Sequence, residues 1–271
     1  MTNTSQLRKR FNLKEYTRIA TVLLELALKG PQNLSQLSDL LIKEGLRPVS
    51  ARPATTRIIN YLEKMGFVRT IGKGPRGARL VDITPKTLYY IVSLALDEFL
   101  CIPIEIISRY GEQYNINDLK EMTNVLQIFV DIFGQKCKYD SKFVRELTFF
   151  IAYSIEEQGS TQDGSGIMQN NYLGKVEEVL KYAIINVFME LIDFFEKDAY
   201  EDISKLLENE DLLRKMNDVV SAISKIINEF KRSNIPFAKE ILRELKTMLH
   251  TKKKSLEYSL KLVDEISKII D

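Results

Sequence analysis

The sequence is short of the residues that build catalytic and metal centres. Its 271 residues include one histidine, His250, and two cysteines, Cys101 and Cys137. A single histidine with no second His and no cysteine pair supplies neither a metal-ligand set nor a Ser/Cys–His nucleophile system. Two cysteines are too few for a disulfide framework or a zinc cluster, so the expectation is two small core residues in a reducing compartment. Apolar runs of the roughly 18 residues that a membrane span requires are also missing. The densest stretch, 176–195, is broken by Lys181, Asn186, Glu190 and Asp193. The polar, basic start MTNTSQLRKRF has no apolar segment behind it, so no secretory signal is expected and a cytoplasmic, nucleoid-associated location is. The many carboxylates, such as Glu177, Glu178, Glu208, Glu210 and Asp211, stand beside Lys and Arg and read as solvated helix faces. These absences argue against an enzyme, a cofactor or a bound metal.

A formal net charge of +2 conceals an uneven distribution. Residues 1–90 carry 16 Lys/Arg against 6 Asp/Glu, whereas residues 91–271 carry 23 against 31. One strongly basic third in a near-neutral chain points to a nucleic-acid surface on that third. Proline divides the chain in the same way. Five of seven prolines (31, 48, 53, 75, 85) lie in the first 85 residues, and none lies between Pro103 and Pro236. Short elements separated by turns are expected in front, and long helices behind.

In the front third, Tyr16, Ile19, Ala20, Leu23, Leu24, Ala27 and Leu28 recur at three and four, predicting a helix over 13–29 that Gly30-Pro31 stops. Asn33 or Ser35 caps a short second helix through Leu34, Leu37, Leu40 and Leu41, ended by Gly45. A loop, LRPVSARP, follows. Pro53 suits the first turn of a third helix with Ala54, Ile58, Tyr61, Leu62 and Met65 on one face. After Gly66 the period becomes two: strand-like 67–71, the turn GKGPRGA, and strand-like 79–83 form a basic hairpin. Thr84-Pro85 caps a fourth helix, Lys86 to about Leu100.

The segments LSQLSDLLIKEG, ATTRIINYLEKMGFV and ITPKTL, in this order around the hairpin, resemble the winged helix-turn-helix family of MarR- and PadR-like regulators. The resemblance covers about residues 13–95. It implies a DNA-reading third helix and a wing on the phosphates, although the loop before that helix is longer than the family's tight turn. With Ile58, Leu62 and Met65 inward, the outward set is Arg52, Thr55, Thr56, Asn60 and Glu63, with Arg57 at the margin. Arginine takes guanine bidentately, asparagine takes adenine, and threonine meets a thymine methyl or a phosphate. Arg69, Lys73, Arg76 and Arg79 on the hairpin suit phosphate or the minor groove. The run Gly72–Gly77 matches G-x-G-x-x-G in letters, but Pro75 and the strand-like RLVDI after it make a hairpin, not the helix a dinucleotide site requires.

Behind the front third, helices are predicted over 117–133, 139–156 and 172–197, the last apolar on most of its circumference. Glu156 to Asn171 reads as a mobile loop. Leu213, Met216, Val220, Ile223, Ile227 and Phe230 mark a further helix. Leu242, Leu245, Leu249, Leu256, Val263, Ile266 and Ile270 form a heptad-like seam. The expectation is a mainly α protein. It has an N-terminal winged helix-turn-helix (1–100) and an all-α helical-bundle domain (101–271) for dimerisation or sensing, with its mobile loop near 157–171. The function expected is sequence-specific binding of double-stranded DNA by a homodimeric transcriptional regulator. The alternatives are a plasmid or viral replication or partition protein, and a winged-helix protein–protein adaptor. No residue identifies a small-molecule effector site.

Overall fold

The computed structural model describes residues 12–74, 77–133, 136–158, 171–186 and 239–254, with isolated positions at 189, 221, 224, 227–228 and 231–232. Helix α1, Leu13–Lys29, starts at Asn12. The Asn12 side chain accepts from the Glu15 N–H, and the Glu15 carboxylate accepts from the Asn12 N–H. This reciprocal cap satisfies two N–H groups that a helix start leaves open. The expected stripe, including Ile19, Ala20, Leu23, Leu24 and Ala27, is buried. A two-residue strand, β1 (Gln32–Asn33), follows; nothing in so short a run announces it. Asn33 then caps α2, Leu34–Lys43, in the same manner with Gln36.

The next helix, α3, spans Pro48–Lys64. It begins five residues before the position expected from Pro53, which lies within it. Pro48 occupies the first turn, where a missing N–H costs nothing. Ala51, Thr55, Ile58 and Leu62 are buried at a 4-3-4 spacing, so the core-facing stripe extends through the segment expected to be a loop. Residues 44–47 alone connect α2 to α3, a tight turn instead of a long one.

Gly66, at φ +73°, takes a left-handed conformation that a side chain would strain, and the chain turns there into the sheet. Strands β2 (Val68–Lys73) and β3 (Arg79–Ile83) pair antiparallel, with Val68 opposite Ile83 and Arg69 opposite Asp82. An irregularity between Thr70 and Gly72 shifts the register so that Gly72 meets Leu80. β1 adds to the other side of β3, giving a three-stranded antiparallel sheet in the order β1-β3-β2.

Helix α4, Pro85–Phe99, begins by closing the end of α3. Thr84 Oγ1 donates to the Gly66 carbonyl at 2.6 Å, Lys86 Nζ donates to the Met65 carbonyl at 2.7 Å, and Thr87 Oγ1 donates to the Phe67 carbonyl. These carbonyls follow the last turn of α3, where helical partners run out. The Thr-Pro-Lys-Thr stretch therefore acts structurally, satisfying the polar backbone of the α3–β2 turn inside the core. Burial pushes the Lys86 ammonium down to about 8. Its Nζ also stands 4.2 Å from the centre of the Phe67 ring.

Three further helices follow: α5 (Ile104–Gln113), α6 (Asn117–Phe133) and α7 (Ser141–Gln158). The sequence reading did not assign α5. Gly111 lets α5 approach α6 closely, since a methyl group there would lie 3.0 Å from Leu119 Cβ. The α5–α6 pair returns the chain on itself. Ile102 bridges Lys136, and Cys101 is bonded to Cys137 with Cα atoms 5.1 Å apart. The cysteines are thus not the two unpaired core residues expected, and cysteine usage lends no support to a reducing compartment.

The chain divides into two units, 1–180 and 181–271. Helices α5 to α7, beyond the boundary expected near residue 100, belong to the first. The described part of the helix expected over 172–197 covers 171–186. Within it Val176, Leu180 and Ile184 are buried while Tyr182 is 51% exposed. In the second unit, a helix over 239–254 buries Ile241 and Leu245, and Lys181 lies 3.3 Å from Glu240 and 3.0 Å from Glu244. Leu249 of the expected seam is exposed. The loop expected near 157–171, the helix around Leu213–Phe230 and the seam from Leu256 to Ile270 fall wholly or largely outside the described residues. No helix among the described residues is long and apolar enough to cross a membrane.

Candidate nucleic-acid interface

The face of α3 opposite its buried stripe carries Val49, Ser50, Arg52, Pro53, Arg57, Asn60, Glu63 and Lys64, all exposed, with Thr56 half-buried among them. Of the expected outward residues, Arg52 and Asn60 are exposed and Thr56 is partly so. Thr55 is a correction. It is fully buried and its hydroxyl donates to the Ala51 carbonyl at 2.8 Å. The reason is helical phase: Thr55 stands three residues before Ile58 and seven before Leu62, in line with them and with Ala51. Thr56 Oγ1 makes the same i−4 bond, to Arg52 at 3.0 Å, while remaining at the surface. Arg57 pairs with Glu15 of α1. Its guanidinium thus ties α3 to the start of α1.

The hairpin arginines have different fates. Arg79 is laced to α3 and β2: its Nη1 donates to Asn60 Oδ1 at 2.9 Å, its Nε donates to Thr70 Oγ1 at 2.7 Å, and Nη2 pairs with Glu63. Burial alone would raise the Glu63 carboxyl. The bonds from Thr70 and Arg79, with the charge of Arg79, outweigh it and hold Glu63 below the usual carboxylate range. The sequence placed Arg79 among the wing cations suited to phosphate or the minor groove, but it fastens the hairpin to the helix.

Arg69 is a second correction. Its guanidinium lies inward, 4.2 Å above the Tyr114 ring, instead of projecting from the wing. Opposite it on β3, Asp82 is completely buried and accepts bonds from Tyr114 Oη and Gln113 Nε2 of the α5 end. Burial would lower the Arg69 pKa, but the hydrogen bond and charge of Tyr114, with Tyr110 and Asp82 nearby, raise it. This face of the sheet is therefore covered by α5, the helix the sequence did not announce. Lys73 remains exposed at the end of β2. Arg76 lies outside the described residues.

Val49 and Ser50 were missed as surface candidates because the helix was expected to start at Pro53. A signal was present: Pro48 is an equally good first-turn residue, and Ala51 continues the apolar spacing of Ile58 and Leu62 by two turns. Among the described residues, no group of three or more His, Cys, Asp or Glu could hold a metal ion. No family model, characterised protein or solved structure matches the chain.

Proposed function

We propose that this chain is a sequence-specific double-stranded DNA-binding protein with an N-terminal winged helix-turn-helix. On this reading it is a transcriptional regulator working as a homodimer joined through its C-terminal helices. The element order α1-β1-α2-α3-β2-β3, the sheet order β1-β3-β2 and the four-residue turn between α2 and α3 support the winged-helix reading. One observation carries it furthest. α3 is anchored by a continuous buried stripe, while its opposite face holds Arg52, Thr56 and Asn60 beside a hairpin whose first strand ends in Lys73. A rigid helix of this kind holds side chains at a fixed register in a groove, and flanking cations meet phosphate.

Titration of the full chain with random duplex DNA over a salt series tests the reading. If about four to six phosphates are contacted, log K should fall against log salt with a slope of roughly −4 to −5. Absence of duplex binding at low salt rejects it. Paired readers suit palindromic sites with half-sites about 34 Å apart. A monomer at micromolar concentration by light scattering rejects the dimer.

A further inference from the structure

α3 presents an apolar patch between two cations that the described chain leaves uncovered. Val49 is 84% exposed, and Arg47, Pro48, Ser50, Arg52 and Pro53 around it are exposed as well. Positions 49, 52, 53, 56 and 60 follow the 3-4 spacing of one helical face. An exposed valine adds nothing to a core, and its branched Cβ is a poorer helix former than alanine. Farther along the same face, Arg57 and Asn60 are engaged by Glu15 and Arg79. Among the described residues, no side-chain hydrogen bond or ion pair engages Ser50 or Arg52.

We infer that this face reads a thymine next to a guanine in the major groove. Val49, flanked by Pro53, packs on the thymine 5-methyl, and Arg52 donates to O6 and N7 of the guanine. The inference rests on the DNA-binding reading above and names what that surface recognises. Thymine alone among the DNA bases presents a methyl group in the major groove, and guanine presents two acceptors in one plane. An apolar patch edged by Arg47 on one side and Arg52 on the other complements a methyl that lies between a phosphate and the guanine edge. The buried residues Ala51, Thr55, Ile58 and Leu62 hold the helix so that Val49 keeps a fixed position. Asn60, tied to Arg79, serves as a positioning residue for the hairpin and not as the main base reader.

The experiment uses the full chain to select duplexes from a random pool. Each thymine of the selected site is then replaced by deoxyuridine, which removes the methyl alone. One such position, or its symmetry mate, should weaken the unmodified protein roughly three- to fivefold. Val49→Ala should lose the same factor on the thymine duplex, respond no further to deoxyuridine there, and bind random duplex as before. Alanine at an exposed helical position preserves the fold, which an unchanged melting curve checks. Arg52→Lys keeps the charge and should lose roughly tenfold on the selected site, with little change on random DNA. A pool with no methyl-dependent thymine, or a Val49→Ala variant that keeps its deoxyuridine response, overturns the inference while leaving DNA binding standing. An undiminished Arg52→Lys overturns the guanine assignment. Failure of the full chain to bind any duplex overturns the DNA reading itself.

Discussion

Arg79 Nη1 donates to Asn60 Oδ1 across 2.9 Å, joining the first residue of β3 to the exposed face of α3. The same guanidinium takes in Glu63 and Thr70. The turn end of the hairpin, where Arg79 pairs with Lys73, is thereby held to the helix by a four-residue polar network at the surface. Partly exposed ion pairs contribute little, so a double-mutant cycle of Arg79→Ala and Glu63→Ala should give a coupling of about 0.2–1 kcal/mol. Amide exchange over 69–73 should accelerate in Arg79→Ala without DNA present. Unchanged exchange there would mean that the network does not hold the hairpin. If DNA is the ligand, Lys73→Ala should reduce the salt slope by roughly one unit, whereas Arg79→Ala should leave it nearly constant.

Lys86 gives the protein an alkaline signature. Its ammonium is pushed down by burial to about 8, against about 10.4 in an unfolded chain. Between these values the unfolded chain holds a proton that the folded chain has released, so stability rises with pH. Tyr114 is pushed up to about 12, first by burial and then by its bond to Asp82, and burial raises Tyr110 as well. Above about pH 10 unfolded tyrosines therefore ionise first, and stability falls. Urea unfolding across this range should show a maximum near pH 10. Lys86→Met should flatten the rise and keep the fall; an unaltered rise would remove Lys86 from the explanation.

The Cys101–Cys137 bond closes a segment with a sequence separation of 36 residues that contains α5 and α6. Restricting the unfolded chain over that length stabilises by roughly 2–4 kcal/mol. Unfolding with and without reductant, and in Cys137→Ser, should show losses of that order. The reductant should have no additional effect on the variant. Equal stability of the oxidised and reduced chains would contradict the assignment.

A fragment ending at residue 100 should not fold cooperatively. It loses Gln113 and Tyr114, which bond Asp82, and with α5 the cover over that face of the sheet. It also loses Arg109, whose Nε donates to the Ala27 carbonyl at the end of α1 at 2.7 Å. The apolar surface that α5 covers with Ile106, Ile107 and Tyr110 is returned to water as well. A fragment of residues 1–180 keeps these contacts and should melt in one transition. Thermal melts followed by circular dichroism distinguish the two, and a cooperative melt of 1–100 would return the boundary to that position.

Much of the local structure was legible in the sequence. The stripe of Ile19, Leu23 and Ala27 defined α1, with bounds that agree at both ends. Gly66 and the period-two residues after it located the hairpin, and Thr84-Pro85 located the start of α4. Such features depend on periodicity and capping, which act over a few residues and leave a mark in the order of side chains. The start of α3 was less legible because two prolines, Pro48 and Pro53, each fit a first turn. Packing of Ala51 decided for the earlier one. That choice carried the buried stripe back to Ala51 and put Val49 and Ser50 on the exposed side of the helix.

By itself the sequence determined the mainly helical class, the basic front third and the positions of most turns, since these follow from composition and local spacing. Tertiary structure alone decided that Arg69 stacks on Tyr114, that Asp82 meets Gln113, and that Cys101 meets Cys137. The partners in these pairs are separated by 31 to 45 positions in the chain. No local pattern encodes such pairs, because they form where helices close over one another and buried polar groups must find partners.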